Sequence, residues 1–328
     1  MQKWFRKSEC WKVGILEHWA QCSNITLFHY SSLIVFVITI LSFPLQSFSA
    51  ETVKFRHVQS IYFDEKGGSL KQPEGIASND KSTLIVGDTG NDRLIQYTFQ
   101  GNIWKPGAEM KVTQLTNPIR VQMNSKGEVY ALDGKKRRII QLSPEGAFKN
   151  YIDADGMPAA STFVPKSFKL DPNNNIYILD IFGARVLLLN SEGKYQKQIP
   201  FPQGYGFFSD LSVDSKGSIL LIDSIKAMVF SASKDSNSFS PLTKNLREHL
   251  YFPTTITADN RGIIYIIDEN GGGVVILGRD GSFMGRQLTM GWNEGLLYYP
   301  SQMSINEKGE IFIADRGNSR IQIFTIVK

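Results

Sequence analysis

The sequence predicts an all-β fold, a ring of six four-stranded antiparallel blades, on the basis of three observations. An apolar run that ends in aspartate occurs six times along the chain. A proline stands fifteen residues before five of these six aspartates, and a residue that favours turns follows nine residues after each such start. Three features repeated at fixed offsets indicate a repeat protein in which each repeat is one supersecondary unit.

The repeat period lies in the mid forties. Successive aspartates are separated by 45, 47, 43, 45 and 47 residues. The aspartates are Asp88, Asp133, Asp180, Asp223, Asp268 and Asp315. The units begin at Pro73, Pro118, Pro165, Phe208, Pro253 and Pro300, and their turn residues are Ser82, Gly127, Asn174, Gly217, Gly262 and Gly309.

The residue pattern within each unit predicts strands and not helices. An alternating run such as IRVQM (119–123) comes first, a turn such as NSKG follows, and a β-rich run then ends in the aspartate. A third strand comes next, and most units close it with a tight turn such as PEG or SEG. A fourth strand is expected in the variable remainder. Four antiparallel strands repeated six times predict a β-propeller.

The two ends of the repeat region predict how the ring closes. The sixth unit stops at Lys328, directly after its third strand, and the strand-like segment 53–63 belongs to no unit. We predict that this N-terminal segment supplies the missing outer strand. The propeller domain is then residues 50–328.

The motif at the end of the second strand resembles that of the NHL repeat family of six-bladed propellers. The best matches are DTGNDRL (88–94) and DRGNSRI (315–321). The resemblance covers about residues 53 to 328 and implies the fold, whereas propellers of one frame carry binding, scaffolding and enzyme functions. Units four and five depart from the pattern, because Met228 and Gly273 stand where the other units have arginine.

Residues 1–49 predict a signal peptide or a membrane anchor. No charged residue lies between Glu17 and Glu51, the segment 27–48 contains a long apolar run, and basic residues precede it. Both alternatives, cleavage near Ala50 or membrane attachment through residues 27–48, place the propeller outside the cytoplasm in a periplasmic or extracellular location. Both cysteines lie in this leader, so the propeller is expected to hold together without disulfides.

Composition excludes several classes of function. After residue 49 the chain has 32 basic and 29 acidic residues, a balance that does not predict a nucleic-acid partner. Only His57 and His249 remain as histidines, and no CxxC, HExxH or Gly-x-Ser-x-Gly pattern occurs there. No catalytic residue is therefore predicted, and no cofactor is expected apart from calcium in the alternative below.

The six aspartates that end the second strands have two interpretations, a carboxylate ring for metal or acid–base chemistry and a structural anchor. An aspartate at a strand-to-turn junction accepts hydrogen bonds from nearby backbone N–H groups. The arginine five residues later can pair with it or with a neighbouring blade. Because every unit has this aspartate, the structural interpretation is favoured.

Ligand binding is expected where the units differ. The loop that leads into the first strand and the turn after the second strand lie at the same end of the ring, which is the channel mouth. Side chains two residues after each unit start should circle this mouth as exposed groups: Gly75, Arg120, Ser167, Asp210, Thr255 and Gln302. Blade 2 carries Lys135, Lys136 and Arg137 nearby, and blades 4 and 5 carry Asp210, Asp268 and Glu269, which predicts a cationic side opposite an anionic side.

Aromatic residues also concentrate at the starts of blades 4 to 6. They are Tyr205, Phe207, Phe208, Tyr251, Phe252, Tyr298 and Tyr299, with Trp292 nearby. They either fill the core between blades or flank a polar pocket suited to sugar rings or peptide side chains. The candidate ligand-binding residues are Arg120, Ser167, Asp210, Thr255, Gln302, Tyr251 and Tyr299.

Two functions follow from these expectations. The first is an exported, non-catalytic binding or scaffold propeller that engages a protein or a cell-envelope polymer through the channel mouth. The alternative is a lactonase- or lyase-type enzyme in which Asp210 and its neighbours hold a divalent cation such as calcium.

Overall fold

Each repeat unit folds as one four-stranded antiparallel sheet in the computed structural model, which describes residues 53–79, 82–153 and 156–327. Strand β1 (Lys54–Ile61) precedes the units. Blade 1 consists of β2 (Gly75–Ser78), β3 (Thr83–Asp88), β4 (Arg93–Gln100) and β5 (Ile103–Met110). Blade 2 consists of β6 (Pro118–Met123), β7 (Val129–Asp133), β8 (Arg138–Leu142) and β9 (Phe148–Ile152). Blade 3 consists of β10 (Pro165–Leu170), β11 (Ile176–Asp180), β12 (Arg185–Leu189) and β13 (Tyr195–Pro200).

The second half of the ring repeats this order. Blade 4 consists of β14 (Phe208–Val213), β15 (Ile219–Asp223), β16 (Met228–Ala232) and β17 (Ser240–Pro241). Blade 5 consists of β18 (Pro253–Ala258), β19 (Ile264–Asp268), β20 (Gly273–Leu277) and β21 (Phe283–Gln287). Blade 6 contains β22 (Met303–Ile305), β23 (Glu310–Asp315) and β24 (Arg320–Val327). Short 3-10 turns lie at Thr89–Asn91, Ala160–Thr162 and Arg316–Asn318.

Blade 6 is completed from the other end of the chain. Strand β1 pairs antiparallel with β24, from Lys54 opposite Val327 to Ile61 opposite Ile321. The sheet order is β1-β24-β23-β22, so β1 is the outer strand. The predicted closure by the N-terminal segment is confirmed, and the chain is a six-bladed β-propeller.

The core lies between the blades. The first strands contact one another around the channel in the order β2, β6, β10, β14, β18 and β22, and β22 returns to β2. Six clusters of buried apolar side chains each join two neighbouring blades. The second strands are buried almost throughout, and β7 and β19 are buried at every position, because other blades cover both of their faces. Burial of these Val, Ile and Leu side chains is the main stabilising contribution to the ring.

The six repeated aspartates are structural anchors, as predicted. All six are fully buried. Each accepts hydrogen bonds from backbone N–H groups of the loop that leads into its own blade, for example from Lys71 to Asp88 at 2.7 Å and from Tyr298 to Asp315 at 2.7 Å. These bonds fix the loop at the mouth end of every blade.

The arginine five residues after the anchor varies in its partner. It pairs through Nε with the aspartate of its own blade in blades 1, 3 and 6, at 2.8, 2.9 and 2.7 Å. Arg138 of blade 2 instead pairs with Asp153 and lies over the ring of Tyr151. The anchor does not depend on one particular cation.

The predicted leader, residues 1–49, lies outside the described residues. Among the residues that the structure does describe, no helix has the length and apolar character needed to cross a membrane. Cleavage of the leader and membrane attachment through residues 27–48 therefore stay predictions.

Candidate functional site at the channel mouth

The channel mouth is built by the starts of the first strands and the ends of the second strands. Pro165 at the start of β10 lies opposite Asp180 at the end of β11, and Pro118, Phe208 and Pro253 lie opposite their own aspartates. The loops that lead into the blades and the turns after the second strands therefore share one end of the ring. We call this end the mouth face.

A β-bulge occurs beside this end in blades 2 to 5. In blade 2, Pro118 pairs with Asp133 but Arg120 pairs with Leu132, so Ile119 is an extra residue in β6. The same shift occurs in blades 3, 4 and 5. A bulge leaves one residue unpaired and re-aims the neighbouring side chains. The strict alternation assumed from the sequence does not hold at this point.

The residue directly after each unit start lines a cavity of 230 Å³ at the mouth. We call it the mouth cavity. Every blade contributes one such side chain: Glu74, Ile119, Lys166, Ser209, Thr254 and Ser301. The remaining walls are Arg120, Phe207, Ser224, Phe252, Glu269 and Arg316.

The ring predicted to be exposed at the mouth is buried in the channel instead. Arg120 is 7% exposed and Asp210 is 2% exposed, so the expectation of exposed charges is wrong. Ser167, Thr255 and Gln302 are also buried. Of these five side chains, only Arg120 lines the mouth cavity.

The buried ring residues link neighbouring blades. The Asp210 carboxylate accepts a hydrogen bond from Ser167 Oγ of blade 3 and one from the Ile256 backbone N–H of blade 5, the latter at 3.0 Å. Thr255 Oγ1 donates to the Ser301 carbonyl of blade 6.

Gln302 of blade 6 continues this chain of contacts. Its Oε1 accepts from the backbone N–H groups of Ile76 and Val121 at 3.2 Å each, and its Nε2 donates to the Val121 carbonyl at 3.0 Å. Buried polar groups need such partners. These side chains hold the ring together, and a role for them in ligand binding stays a prediction.

Two cations in the mouth cavity, Arg120 and Lys166, form no ion pair with any residue that the structure describes. Arg120 donates through one terminal nitrogen to the Ile119 carbonyl at 2.9 Å, and its buried Nε has no hydrogen-bond partner among the described residues. Lys166 forms no ion pair within the described part of the chain. Burial is the largest effect and lowers the pKa of Lys166, the charge of Arg120 lowers it further, and the carboxylates of Glu74, Asp210 and Glu269 oppose this shift.

The anionic side that the sequence predicted is neutralised. Asp210 is hydrogen-bonded in the channel, Asp268 pairs with Arg286 at 2.8 Å, and Glu269 pairs with Arg316 at 2.5 Å. On the cationic side, Lys135 pairs with Asp92 at the surface. With Glu269 and Arg316 paired, the mouth cavity keeps the two positive charges of Arg120 and Lys166 and the one negative charge of Glu74, an excess of one positive charge.

The aromatic residues divide between the two expected roles. Tyr205 and Phe208 stack with ring centroids 5.3 Å apart and belong to the core between blades 3 and 4. Tyr251 and Trp292 are each 74% exposed, and Tyr299 and Phe207 are partly exposed. These four side chains surround the mouth on blades 4 to 6, and we call them the aromatic rim.

A groove continues from the mouth cavity between blades 2 and 3. Its volume is 330 Å³, and it shares Ile119 and Lys166 with the mouth cavity. Arg137, Ile181 and the exposed ring of Phe182 line it. The two hollows form one continuous surface with Lys166 at the junction.

The residues present do not fit a calcium ion at Asp210. Both of its carboxylate oxygens already accept hydrogen bonds. Among the described residues no group of three or more His, Cys, Asp or Glu side chains is arranged to hold a metal ion. Calcium prefers six to eight oxygen ligands, several of them carboxylates.

The last unit matches a known family. The model of the NHL repeat matches residues 297–324, which include the Asp315 anchor and the Arg320 that pairs with it. The chain is a six-bladed β-propeller whose last unit matches the NHL repeat. No curated protein sequence matches it at a significant level.

The propeller of this chain resembles several solved structures. A streptogramin B lyase aligns with a TM-score of 0.61 at 12% identity, over 83% of this chain and 98% of that one. A gluconolactonase from Xanthomonas campestris aligns with a TM-score of 0.63 at 12% identity, over 84% and 95%. A chain of a nidogen/laminin complex aligns with a TM-score of 0.54 at 14% identity, over 66% and 80%. At these identities the likeness shows the fold alone.

Sequence reasoning missed Lys166, Glu74 and Arg316 as parts of the site. Lys166 directly follows the proline that starts its unit, and Glu74 follows Pro73 in the same way. Variation at this offset was visible in the sequence as the series Glu, Ile, Lys, Ser, Thr, Ser. Only the tertiary structure shows that this offset faces the mouth, and in blades 2 to 5 it coincides with the bulge.

Proposed function

We propose that this protein is an exported, non-catalytic binding propeller whose mouth face binds an anionic group of a protein or a cell-envelope polymer. The single observation that carries the proposal is the pair Arg120 and Lys166 in the mouth cavity, which form no ion pair with a described residue although Glu74 and Glu269 also line the cavity. A buried cation without a counter-ion is costly, so a ligand carboxylate, sulfate or phosphate would be stabilised there.

The surroundings of the cavity support an extended ligand. The aromatic rim offers large exposed rings for stacking against sugars or apolar side chains. The groove past Phe182 continues the contact surface away from the channel. The cavity would bind an anionic group of the ligand. The aromatic rim and the groove would bind the adjoining parts of the same ligand.

The alternative function is a metal-assisted lyase or lactonase, the activities named for two of the similar structures. Those structures are only 12% identical to this chain. The donor groups around Asp210 do not suit a divalent cation, so we derive no reaction step from that site. Binding is the function that this geometry favours.

Export rests on the leader, residues 1–49. If it is a cleaved signal, the N-terminus of the mature protein read by mass spectrometry should fall near Ala50. Recovery of the uncut chain from membranes would favour the anchor, and an uncut chain in the cytosol would contradict export.

The binding proposal is tested with polymers of defined charge. Polygalacturonate serves as an acidic polysaccharide, poly-glutamate as an acidic peptide, and dextran as a neutral control, and affinities are measured by biolayer interferometry. We expect one acidic polymer to bind and dextran not to bind. Replacement of both Arg120 and Lys166 by Met should weaken binding by at least about 100-fold, because two charge-assisted contacts are lost.

The matched control is the double replacement of Lys135 and Lys136 by Met. It removes the same net charge from the outer part of the mouth face. Exposed charges contribute little, so we expect less than about a threefold loss of affinity. Equal losses in both double variants would mean non-specific attraction, and failure of both acidic polymers to bind would contradict an anionic ligand.

A further inference from the structure

A second cavity lies in the channel at the end opposite the mouth face. Its volume is 200 Å³, several times the ~30 Å³ that a water molecule occupies in the liquid, so it has room for a small polyatomic ion. The first strands of all six blades line it, with Ser78, Gln122, Lys169, Ser212, Thr257 and Ser304 as its polar side chains. We call it the lower cavity.

Lys169 lines this cavity and reaches a blade other than its neighbour. The side chain starts on β10 of blade 3, and its Nζ donates to Thr257 Oγ1 on β18 of blade 5 at 3.2 Å. Blade 4 lies between these two blades, so the side chain reaches past the neighbouring blade along the rim of the cavity. One of the three N–H donors of Lys169 is used in this contact.

The groups around the ammonium are hydroxyls and backbone. Ser78 Oγ and Ser304 Oγ share a hydrogen bond of 2.8 Å between blades 1 and 6. Ser212 Oγ accepts from the Ala258 N–H at 3.1 Å, which leaves its own hydroxyl hydrogen free to donate. None of the described side chains that line the cavity is acidic.

Lys169 forms no ion pair with a described acidic residue. Burial lowers the pKa of Lys169, the Asp210 carboxylate opposes this, and the positive charge of Arg120 adds to it. Asp210 is engaged by Ser167 and the Ile256 N–H and forms no ion pair with Lys169. A half-buried ammonium among hydroxyl donors is complementary to an anion with several acceptor oxygens.

We infer that the lower cavity is a binding site for a small oxyanion of the phosphate or sulfate type, centred on Lys169 with Thr257, Ser212 and Ser78 as hydroxyl donors. This site is separate from the mouth cavity and does not rest on the function proposed above. The oxyanion would contact blades 1, 3, 4 and 5 at once and would tie the ring together at its lower end.

The test uses inorganic phosphate as the probe and the folded propeller from Val53 to the C-terminus. Thermal unfolding is followed by calorimetry at constant ionic strength while phosphate replaces chloride. We expect Tm to rise with phosphate concentration, because a ligand that binds only the folded state stabilises it. An unchanged Tm, or an equal rise with chloride alone, would overturn the inference.

The cations of the mouth cavity are removed first, so that they cannot contribute to phosphate binding. In a chain with Arg120 and Lys166 both replaced by Met, phosphate should still raise Tm, and the further change Lys169→Met should abolish this rise. Titration calorimetry should show at least about tenfold weaker phosphate binding for the triple variant than for the double variant. No rise of Tm in the double variant would place the anion at the mouth cavity and overturn the inference.

Hydroxyl variants keep the test decisive if Lys169→Met fails to fold. Thr257→Val and Ser212→Ala retain the lysine and should each weaken phosphate binding by about threefold to tenfold. Unchanged affinity in both would contradict the proposed donors. Glycerol 3-phosphate distinguishes the source of the oxyanion: tighter binding than phosphate supports the head of a larger ester, and weaker binding supports the free ion.

Discussion

Blades 5 and 6 each contain the repeated buried aspartate, but its arginine partner comes from a different place in the sequence. In blade 6, Asp315 accepts from Arg320 Nε at 2.7 Å, and Arg320 stands at the start of the next strand. In blade 5 that position is Gly273, and Asp268 instead accepts from Arg286 of the outer strand β21 at 2.8 Å. The Arg320 side chain is 3% exposed, whereas that of Arg286 is 26% exposed.

The comparison separates the two tasks of the motif. The carboxylate fixes the loop through backbone donors in both blades, from Tyr298 in blade 6 and from Tyr251 and Phe252 in blade 5. The arginine neutralises the carboxylate and donates to loop carbonyls, of Asn293 and Leu296 in blade 6 and of His249 and Gly271 in blade 5, so its origin in the sequence can change. Blade 4 has no arginine at this position, and Asp223 there accepts from four backbone N–H groups.

Removal of β1 should have the largest effect, and it disrupts blade 6 alone. Removal of β1 leaves β24 without the partner strand that runs from Lys54 to Ile61, and it exposes a long apolar edge. We expect loss of cooperative thermal unfolding and of solubility, measured by circular dichroism and sedimentation. A chain that begins at Val53 is the control and should melt in one transition. A chain without β1 that melts like this control would contradict closure by β1.

The second effect contrasts the two anchors directly. Asp315→Ala leaves Arg320 buried without its partner and should lower the free energy of unfolding by about 3–5 kcal/mol. Asp268→Ala should cost less, because the more exposed Arg286 can turn toward water. Urea unfolding of both variants measures the difference. Equal losses would mean that the backbone contacts dominate, and that the arginines do not distinguish the blades.

The smallest effect is expected from a substitution that gives blade 4 the arginine that it lacks. Met228→Arg places a guanidinium five residues after Asp223, as in blades 1, 3 and 6. Because backbone donors already satisfy Asp223, we expect a change of less than about 1 kcal/mol in the free energy of unfolding. Met228→Gln is the uncharged control. A gain above about 2 kcal/mol for the arginine variant would show that the carboxylate was short of a partner.

The sequence by itself determined the fold of this protein. Each blade must bury apolar side chains on both faces of its second strand and must turn at fixed places, so the apolar run, the aspartate and the turn residue recur at fixed offsets. The last unit has only three strands and the segment 53–63 belongs to no unit, so the sequence also indicated how the ring closes. The anchor role of the aspartates also followed, because a feature present in every blade serves every blade.

The tertiary structure alone decided which side chains meet at the mouth. Counting along a strand assumes strict alternation, and a β-bulge of one residue changes which side chain faces the channel while the period stays the same. The sequence therefore selected Arg120 and Asp210 as exposed groups, whereas the structure buries both and brings Lys166 into the cavity. The pairing of Asp268 with Arg286, eighteen residues away, was equally hidden, because only the packing of β21 against β20 brings that arginine to the anchor.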